Sequence, residues 1–295
     1  MKKKEQITWV SLIVTLVLLF ASCTKKTEGR EFEKTVDYSF FVAGHVYGEP
    51  GVNNIGVHPP FKSKFNLIKK DSLIQFGVFT GDIVYQPTKE DWDEIDVDIS
   101  DLSIPVYFAA GNHDMIDRSL FEKRYGDTYY HFVKNEDLYI VLDPNIDNWN
   151  ISGKQLTFLE EVLEKNSKNV KNVFVFFHQV LWWDKENKFK NVHLNSVDYR
   201  SDSLNFFTII EPMFKALPNN VVMFAGDVGA FYTAQEFMYY NYDNITLIAS
   251  GMGGGVRDNF IIVDVYSDKS IDYRLIHLNG DNINSLGNLT DYVLE

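Results

Sequence analysis

Phe108-Ala109-Ala110-Gly111-Asn112-His113-Asp114 decides how the rest of this 295-residue chain is read. A short apolar, strand-like run stops at a glycine and opens into an amide, an imidazole and a carboxylate. Four other apolar runs end the same way. Phe40 to Ala43 leads into Gly44-His45-Val46-Tyr47-Gly48, and Phe79-Thr80 into Gly81-Asp82-Ile83-Val84-Tyr85. Phe176-Phe177 leads into His178, and Met223-Phe224-Ala225 into Gly226-Asp227-Val228-Gly229. Open α/β sheets gather ligand groups at the carboxyl ends of their strands, so five such clusters can converge on one point. Carboxylate, amide and imidazole donors together suit a divalent Zn, Mn or Fe ion. Taken singly each cluster is weak, because a Gly-Asp after a strand is commonly a turn and a lone strand-terminal histidine a buried structural one. The ordered set is not a chance pattern.

Working outward, strand-like and helix-like segments alternate. Strands are expected over 37–43, 73–80, 104–110, 173–177, 221–225, 245–249, 260–266 and 273–278, with a strand pair at 129–133 and 138–142. Helices are expected over 61–71, 88–102 (started by Thr88), 118–124, 152–166 and 204–217. In 152–166 the spacing of Leu156, Leu159, Val162 and Leu163 gives one apolar face, with Ser152 as the N-cap. Alternation first and strands toward the end fit a layered sandwich of mixed sheets. With no internal linker, residues 35–295 read as one domain.

The ordered clusters resemble the calcineurin-like metallophosphoesterases over about residues 37–266. Gly111-Asn112-His113-Asp114 matches that family's Gly-Asn-His-Asp/Glu motif in full. Gly81-Asp82 matches its Gly-Asp motif, and Tyr85 fits the Gly-Asp-x-x-Tyr form of the purple acid phosphatase branch. The resemblance implies a four-layer α/β/β/α sandwich and one or two divalent ions (Mn, Zn or Fe). It implies that Asp82 bridges two metals, that Asn112 and His178 bind the second, and that His113 assists at a leaving-group oxygen. Asp114 would either orient His113 or cap its loop.

Two motifs depart from the family pattern. Where the family opens with Asp-x-His-Gly, this chain has His45-Val46-Tyr47-Gly48. Where it closes with Gly-His-x-His, this chain has Gly226-Asp227-Val228-Gly229. His45 and Asp227 keep metal-binding side chains, whereas Tyr47 and Gly229 replace ligand histidines. One firm site (Asp82, Asn112, His178 and Asp227) is therefore expected. The other is weak or absent, built on Asp82 and His45, with Tyr47 or Tyr85 as a phenolate only if a metal lowers a pKa near 10. The implied activity is metal-assisted hydrolysis of a phosphomonoester or phosphodiester. The loss of two ligand histidines motivates the alternative, a protein of this fold that binds a phosphorylated small molecule, lipid or glycan without cleaving it, or that scaffolds envelope assembly.

Other signals carry less. Ser250-Gly251-Met252-Gly253-Gly254-Gly255 could present backbone N–H groups to a phosphate or be a tight loop. Trp182, Trp183, His193 and Tyr199 could line a cleft or pack a long loop. His58, His131 and His277 have no motif around them and read as structural or surface residues.

Composition sets the remaining bounds. Net charge is −13, and residues 1–22, with Lys2, Lys3, Lys4 and Glu5, leave −15 on the remainder. Such a charge repels polyanions, so nucleic acid is not an expected partner. Lys2-Lys3-Lys4, an apolar run from Ile7 to Ala21 and Phe20-Ala21-Ser22-Cys23 describe a secretory signal, too short for a stable bilayer span. Cys23, the sole cysteine, resembles a bacterial lipobox cysteine, with Phe20 where leucine is commoner. The resemblance implies cleavage before Cys23 and a lipid on its sulfur; the alternative is an uncleaved anchor helix with an incidental cysteine. Either reading attaches the protein to the bacterial envelope, outside the cytoplasm, through a polar tether over 23–34, and Thr24-Lys25-Lys26, with no acidic residue directly after Cys23, favours the periplasmic face. With no second cysteine, no internal disulfide can form.

Overall fold

The structure, a computed structural model, describes residues 34–52, 54–231 and 236–292. The expected signal (1–22), Cys23 and nearly all of the tether lie outside the described residues. Thr35–Glu295 forms one compact unit. No helix among the described residues is long and apolar enough to cross a membrane.

Two mixed sheets carry the fold. The first has the order β11-β10-β1-β2-β3. Its strands β1 (Val36–Ala43), β2 (Ile74–Thr80) and β3 (Val106–Ala109) run parallel, and β10 (Asn259–Tyr266) and β11 (Ile271–His277) are added antiparallel. The second has the order β4-β5-β6-β7-β9-β8. Parallel strands β5 (Asp137–Val141), β6 (Asn172–Phe176), β7 (Asn220–Ala225) and β9 (Ile245–Ser250) lie between antiparallel edges β4 (Tyr130–Lys134) and β8 (Phe237–Tyr242).

The period of two in a strand explains why the central runs are apolar throughout. In β1, Tyr38, Phe40 and Val42 face the second sheet, and Phe41 and Ala43 face the helices. In β6, Phe174 and Phe176 face inward, and Val173 and Val175 meet the helices on the far side. Phe40 stacks on Phe76 at 5.0 Å and meets Phe174 edge-on at 5.0 Å, tying sheet to sheet.

Helices α1 (Pro59–Lys62), α2 (Phe65–Lys70), α3 (Lys89–Leu102) and α4 (Arg118–Tyr125) cover the first sheet through Phe61, Phe65, Trp92, Ile95 and Phe121. Helices α5 (Gly153–Asn166) and α6 (Glu211–Lys215) cover the second through Leu159, Val162, Leu163 and Phe214. The result is the four-layer α/β/β/α sandwich.

Three local expectations needed correction. The helix expected over 61–71 is two short helices that break at Ser63 and Lys64. The one expected over 204–217 is a wide π turn at Phe206–Ile210 followed by α6, where Pro212 cannot donate a backbone hydrogen bond. Ser152 makes no side-chain cap to α5; its hydroxyl binds Asp147 instead. Thr88 does cap α3, accepting from the Asp91 N–H.

Candidate metal centre

Every sequence-marked ligand lies just past the carboxyl end of a strand, where the two sheets meet. His45 follows β1, Asp82 follows β2, Asn112 and His113 follow β3, His178 follows β6 and Asp227 follows β7. The sheets are stitched there by His178, whose Nδ1 lies 2.9 Å from the Thr80 carbonyl at the end of β2. Close approach is required, since a Cβ on Gly226 would sit 1.9 Å from that same oxygen. A Cβ on Gly111 would sit 2.1 Å from the Asp82 nitrogen. His45 and Asp82 both hold left-handed backbone conformations, φ 54° and 50°. Non-glycine residues adopt these at a cost, and such strain clusters at functional sites.

Backbone carbonyls aim both imidazoles. His45 Nδ1 bonds the Met252 carbonyl at 2.9 Å and His178 Nδ1 bonds that of Thr80, so each Nδ1 carries the proton and each Nε2 faces inward. This is how metal-ligating histidines are held. Asp82 Oδ1 accepts from the His113 N–H at 3.1 Å. Its Oδ2 lies 3.3 Å from His178 Nε2 and 3.6 Å from His45 Nε2. Asp227 Oδ1 lies 3.7 Å from His178 Nε2. All four side chains are almost wholly buried.

Burial and mutual charge fix their protonation in the metal-free protein. Burial pushes His45 down to about 4, against the pull of Asp82. Burial also lowers His178, but Asp82, with Asp227 behind it, outweighs this and holds the imidazolium up to about 10. Asp82, despite burial, is kept well below the usual carboxylate range by His178 and His45. Asp227 is pushed well above that range by burial, opposed by His178 and reinforced by Asp82.

The donor types of this set suit a divalent ion, but among the described residues no group of three His, Cys, Asp or Glu side chains is placed to hold one. His178 Nε2 and both oxygens of Asp227 are buried and make no well-formed hydrogen bond; in the metal-free protein they are satisfied by the ion-pair contacts of His178 with Asp82 and Asp227 at 3.3 and 3.7 Å. Two ligands about 2.1 Å from one ion in tetrahedral array stand about 3.4 Å apart, close to the Asp82–His178–Asp227 separations. The fit therefore rests on the paired separations and the atoms that make no hydrogen bond.

His113 and its neighbours form the wall of the site. His113 Nδ1 lies 2.8 Å from the Tyr85 carbonyl, and Nε2 lies 3.5 Å from the Tyr47 hydroxyl. Of the two roles the sequence left open for Asp114, orienting His113 or capping the loop, its hydrogen bonds are those of the cap. Its Oδ1 accepts from the N–H groups of Ile83 and Val84 and its Oδ2 from Gly111, which staples the Asp82 loop to the His113 loop. Asn112, partly exposed, lines a cleft that Gln179, the residue after His178, also reaches. The glycine loop after β9 is committed elsewhere, since the N–H groups of Gly253, Gly254 and Gly255 all bond the Asp258 carboxylate. Of the aromatic stretch, Trp182 is core, whereas Tyr199 is 82% exposed at the cleft.

No family model and no curated protein matches the chain. Among solved structures, purple acid phosphatase PPD1 from yellow lupin (Lupinus luteus) seeds aligns with a TM-score of 0.58 at 13% identity, covering 83% of this chain and 52% of that one. The fold is metallophosphoesterase-like. This chain thus spans about half the length of the lupin protein. A protein named as a 5′-nucleotidase of Staphylococcus aureus aligns at 12% identity with a TM-score of 0.44, over 83% of this chain and 55% of that one. Vps29 of Chaetomium thermophilum aligns at 9% and 0.33, over 82% and 95%. Scores this low add nothing to the fold assignment.

The two positions that depart from the family pattern carry no ready metal donor in the metal-free protein. Gly229 sits at φ 83°, and a Cβ there would lie 2.8 Å from the Gly251 carbonyl carbon, so no side chain replaces the absent histidine. Tyr47 is buried, packed on the His45 ring at 4.2 Å and on His113 at 5.0 Å. Burial, then the Asp82 charge, push its phenol far above its ordinary pKa, which holds it as a neutral hydroxyl.

Proposed function

We propose that the chain is a metal-dependent hydrolase of phosphomonoesters or phosphodiesters, anchored outside the cytoplasm by a lipid on Cys23. The observation that carries this reading is the buried cluster of Asp82, His178 and Asp227, in which His178 Nε2 and the two Asp227 oxygens make no hydrogen bond, at the strand ends of a metallophosphoesterase-like fold. Asp82, His178 and Asp227 would hold one ion, with Asn112 beside them. The ion would supply Lewis acidity, polarising the phosphoryl group and neutralising its charge.

The chain's own residues do the rest. Asp82 is oriented by the His113 backbone N–H, and the two carbonyl bonds fix the imidazoles of His45 and His178. The Tyr85 carbonyl holds His113 through Nδ1 and leaves Nε2 pointing at the Tyr47 hydroxyl. In its imidazolium form His113 donates the Nε2 proton to a departing alkoxide. The second reading, a binder without turnover, is favoured by Tyr47 and Gly229, which remove half of a two-metal set.

The test is metal content and hydrolysis on protein loaded with Mn or Zn. Wild type should retain about one equivalent and Asp82→Ala none. His113→Ala should keep the metal but lose about 10²-fold in kcat for an alkyl phosphate such as glycerol phosphate, and far less for p-nitrophenyl phosphate, whose leaving group departs without a proton. A wild type that holds no metal ends the hydrolase reading. Metal retention without turnover of any ester leaves the binder.

A further inference from the structure

A cleft of about 270 Å³ is reached by Asn112, a candidate metal ligand, and by Gln179, the residue after His178; the rest of its lining plays no part in the metal chemistry. Its polar lining includes Asn112, Asn145, Gln179 and Asp198, with Trp149 and Tyr199 as its aromatic residues. Gln179 is 2% exposed, yet its Oε1 has no hydrogen-bond partner.

The orientation of that amide is not arbitrary. Arg118 holds Asp143 Oδ2 at 2.7 Å. Asp143 Oδ1 takes the Asn145 side-chain N–H at 2.8 Å, and the Ala110 carbonyl takes it at 3.0 Å. Both are pure acceptors, so Asn145 must turn its Oδ1 outward. Gln179 Nε2 donates to that oxygen at 2.6 Å. The relay Arg118–Asp143–Asn145–Gln179 thus ends in one oriented, buried acceptor with nothing to accept from.

A second observation is independent of the relay. Three residues of the cleft sit in left-handed backbone: Asn148 (φ 48°), Trp149 (φ 73°) and Tyr199 (φ 57°). The two loops that carry them are clipped together by Trp149 Nε1 to the Asp198 carbonyl and by the Ser201 N–H to the Asn148 carbonyl. Strain kept in the cleft lining, presenting a largely exposed tyrosine, is built rather than incidental.

We propose that this cleft is the subsite for the alcohol half of the ester, and that it takes a neutral, hydroxyl-rich group, a hexose or similar polyol. Gln179 Oε1 accepts from one of its hydroxyls, and Tyr199 covers an apolar ring face. Among the described residues the lining has no Lys or Arg, and it includes Asp198. A second phosphate on the substrate is therefore disfavoured and an uncharged polyol favoured. The inference rests on the hydrolase reading for its chemistry, but the cleft can be tested without turnover.

The experiment compares hexose 6-phosphates with p-nitrophenyl phosphate on the metal-loaded protein, wild type, Gln179→Leu and Tyr199→Ala. In parallel, saturation-transfer NMR follows the free neutral hexoses on the same proteins. In wild type, kcat/KM should favour a hexose phosphate. Gln179→Leu should cut the hexose-to-aryl ratio roughly tenfold, as expected for one lost acceptor, and should abolish the hexose signal. Tyr199→Ala, at an exposed position that cannot collapse the core, should cut the ratio in the same direction. Aryl phosphate turnover with no hexose preference and no hexose signal overturns the subsite while leaving the hydrolase standing. A Gln179→Leu that lowers both esters equally also overturns it. A Gln179-dependent hexose signal without turnover of any ester upholds the subsite and removes the hydrolase.

Discussion

At the scale of single residues, the site is a set of titratable groups held in one another's fields. His178 is held up to about 10 by Asp82, with Asp227 adding. A histidine raised in the fold contributes stability fully present below its unfolded value near 6.5 and lost as pH rises through the folded one. Asp114, pushed up to about 7 by burial and by Asp82, and Asp227, pushed up by burial, have the same sign. Each favours the folded state while protonated, and that contribution fades as pH climbs past the usual carboxylate range. His45, lowered to about 4, is already neutral in both states above pH 6.5 and drops out. The metal-free protein should therefore lose on the order of 3 kcal/mol between pH 6.5 and 9.5, read as a falling urea midpoint in EDTA. Asp82→Asn removes the charge that holds up His178 and should flatten the slope. A midpoint that rises over this window would show that the assigned interactions do not govern these groups.

At the scale of elements, the site depends on how closely the strand ends of the two sheets approach. Gly226 follows β7 directly and lies against the Thr80 carbonyl of β2, where a Cβ would lie 1.9 Å from backbone oxygen. Neither sheet can yield cheaply, because His178 also bonds that carbonyl. Gly226→Ala should cost about 3 kcal/mol and displace Asp227, so the variant should melt earlier and fail to retain metal. Unchanged stability together with full metal content would refute the close-packing account. This level was largely legible in the sequence. Apolar runs ending in Gly-His, Gly-Asp and Gly-Asn-His-Asp marked the strand ends and the clusters beside them, since periodicity and glycine punctuation are local properties. The rest depended on long-range contacts. Edge strand β8 opens with the run Phe237-Met238-Tyr239-Tyr240, but only Phe237 and Met238 are buried and the tyrosines are half-buried, so it lacks the long apolar core of the central strands. The packing of Tyr47 on His45, and the orphaned amide of Gln179, arise only when distant loops meet. Asp114 shared a motif with His113, and only its three backbone bonds revealed a staple.

At the scale of the whole molecule, charge and site pull in opposite directions. The chain carries −13, and −15 beyond residue 22, while the proposed substrate carries a phosphate. At about 0.01 M ionic strength the Debye length is about 30 Å, so an approaching anion feels the charge of the entire protein; at about 0.15 M it is about 8 Å and only the site is felt. A bound cation dominates close in, but it cannot cancel a field set by so many carboxylates at long range. The kcat/KM of the metal-loaded protein for a phosphomonoester should therefore rise as potassium chloride is raised from about 0.01 to 0.15 M, through faster encounter rather than a higher kcat. The saturation-transfer signal of a neutral hexose should not change over the same range. A kcat/KM that falls steadily with salt would mean that the site presents a net positive field well beyond its mouth, and that the acidic surface does not oppose substrate entry.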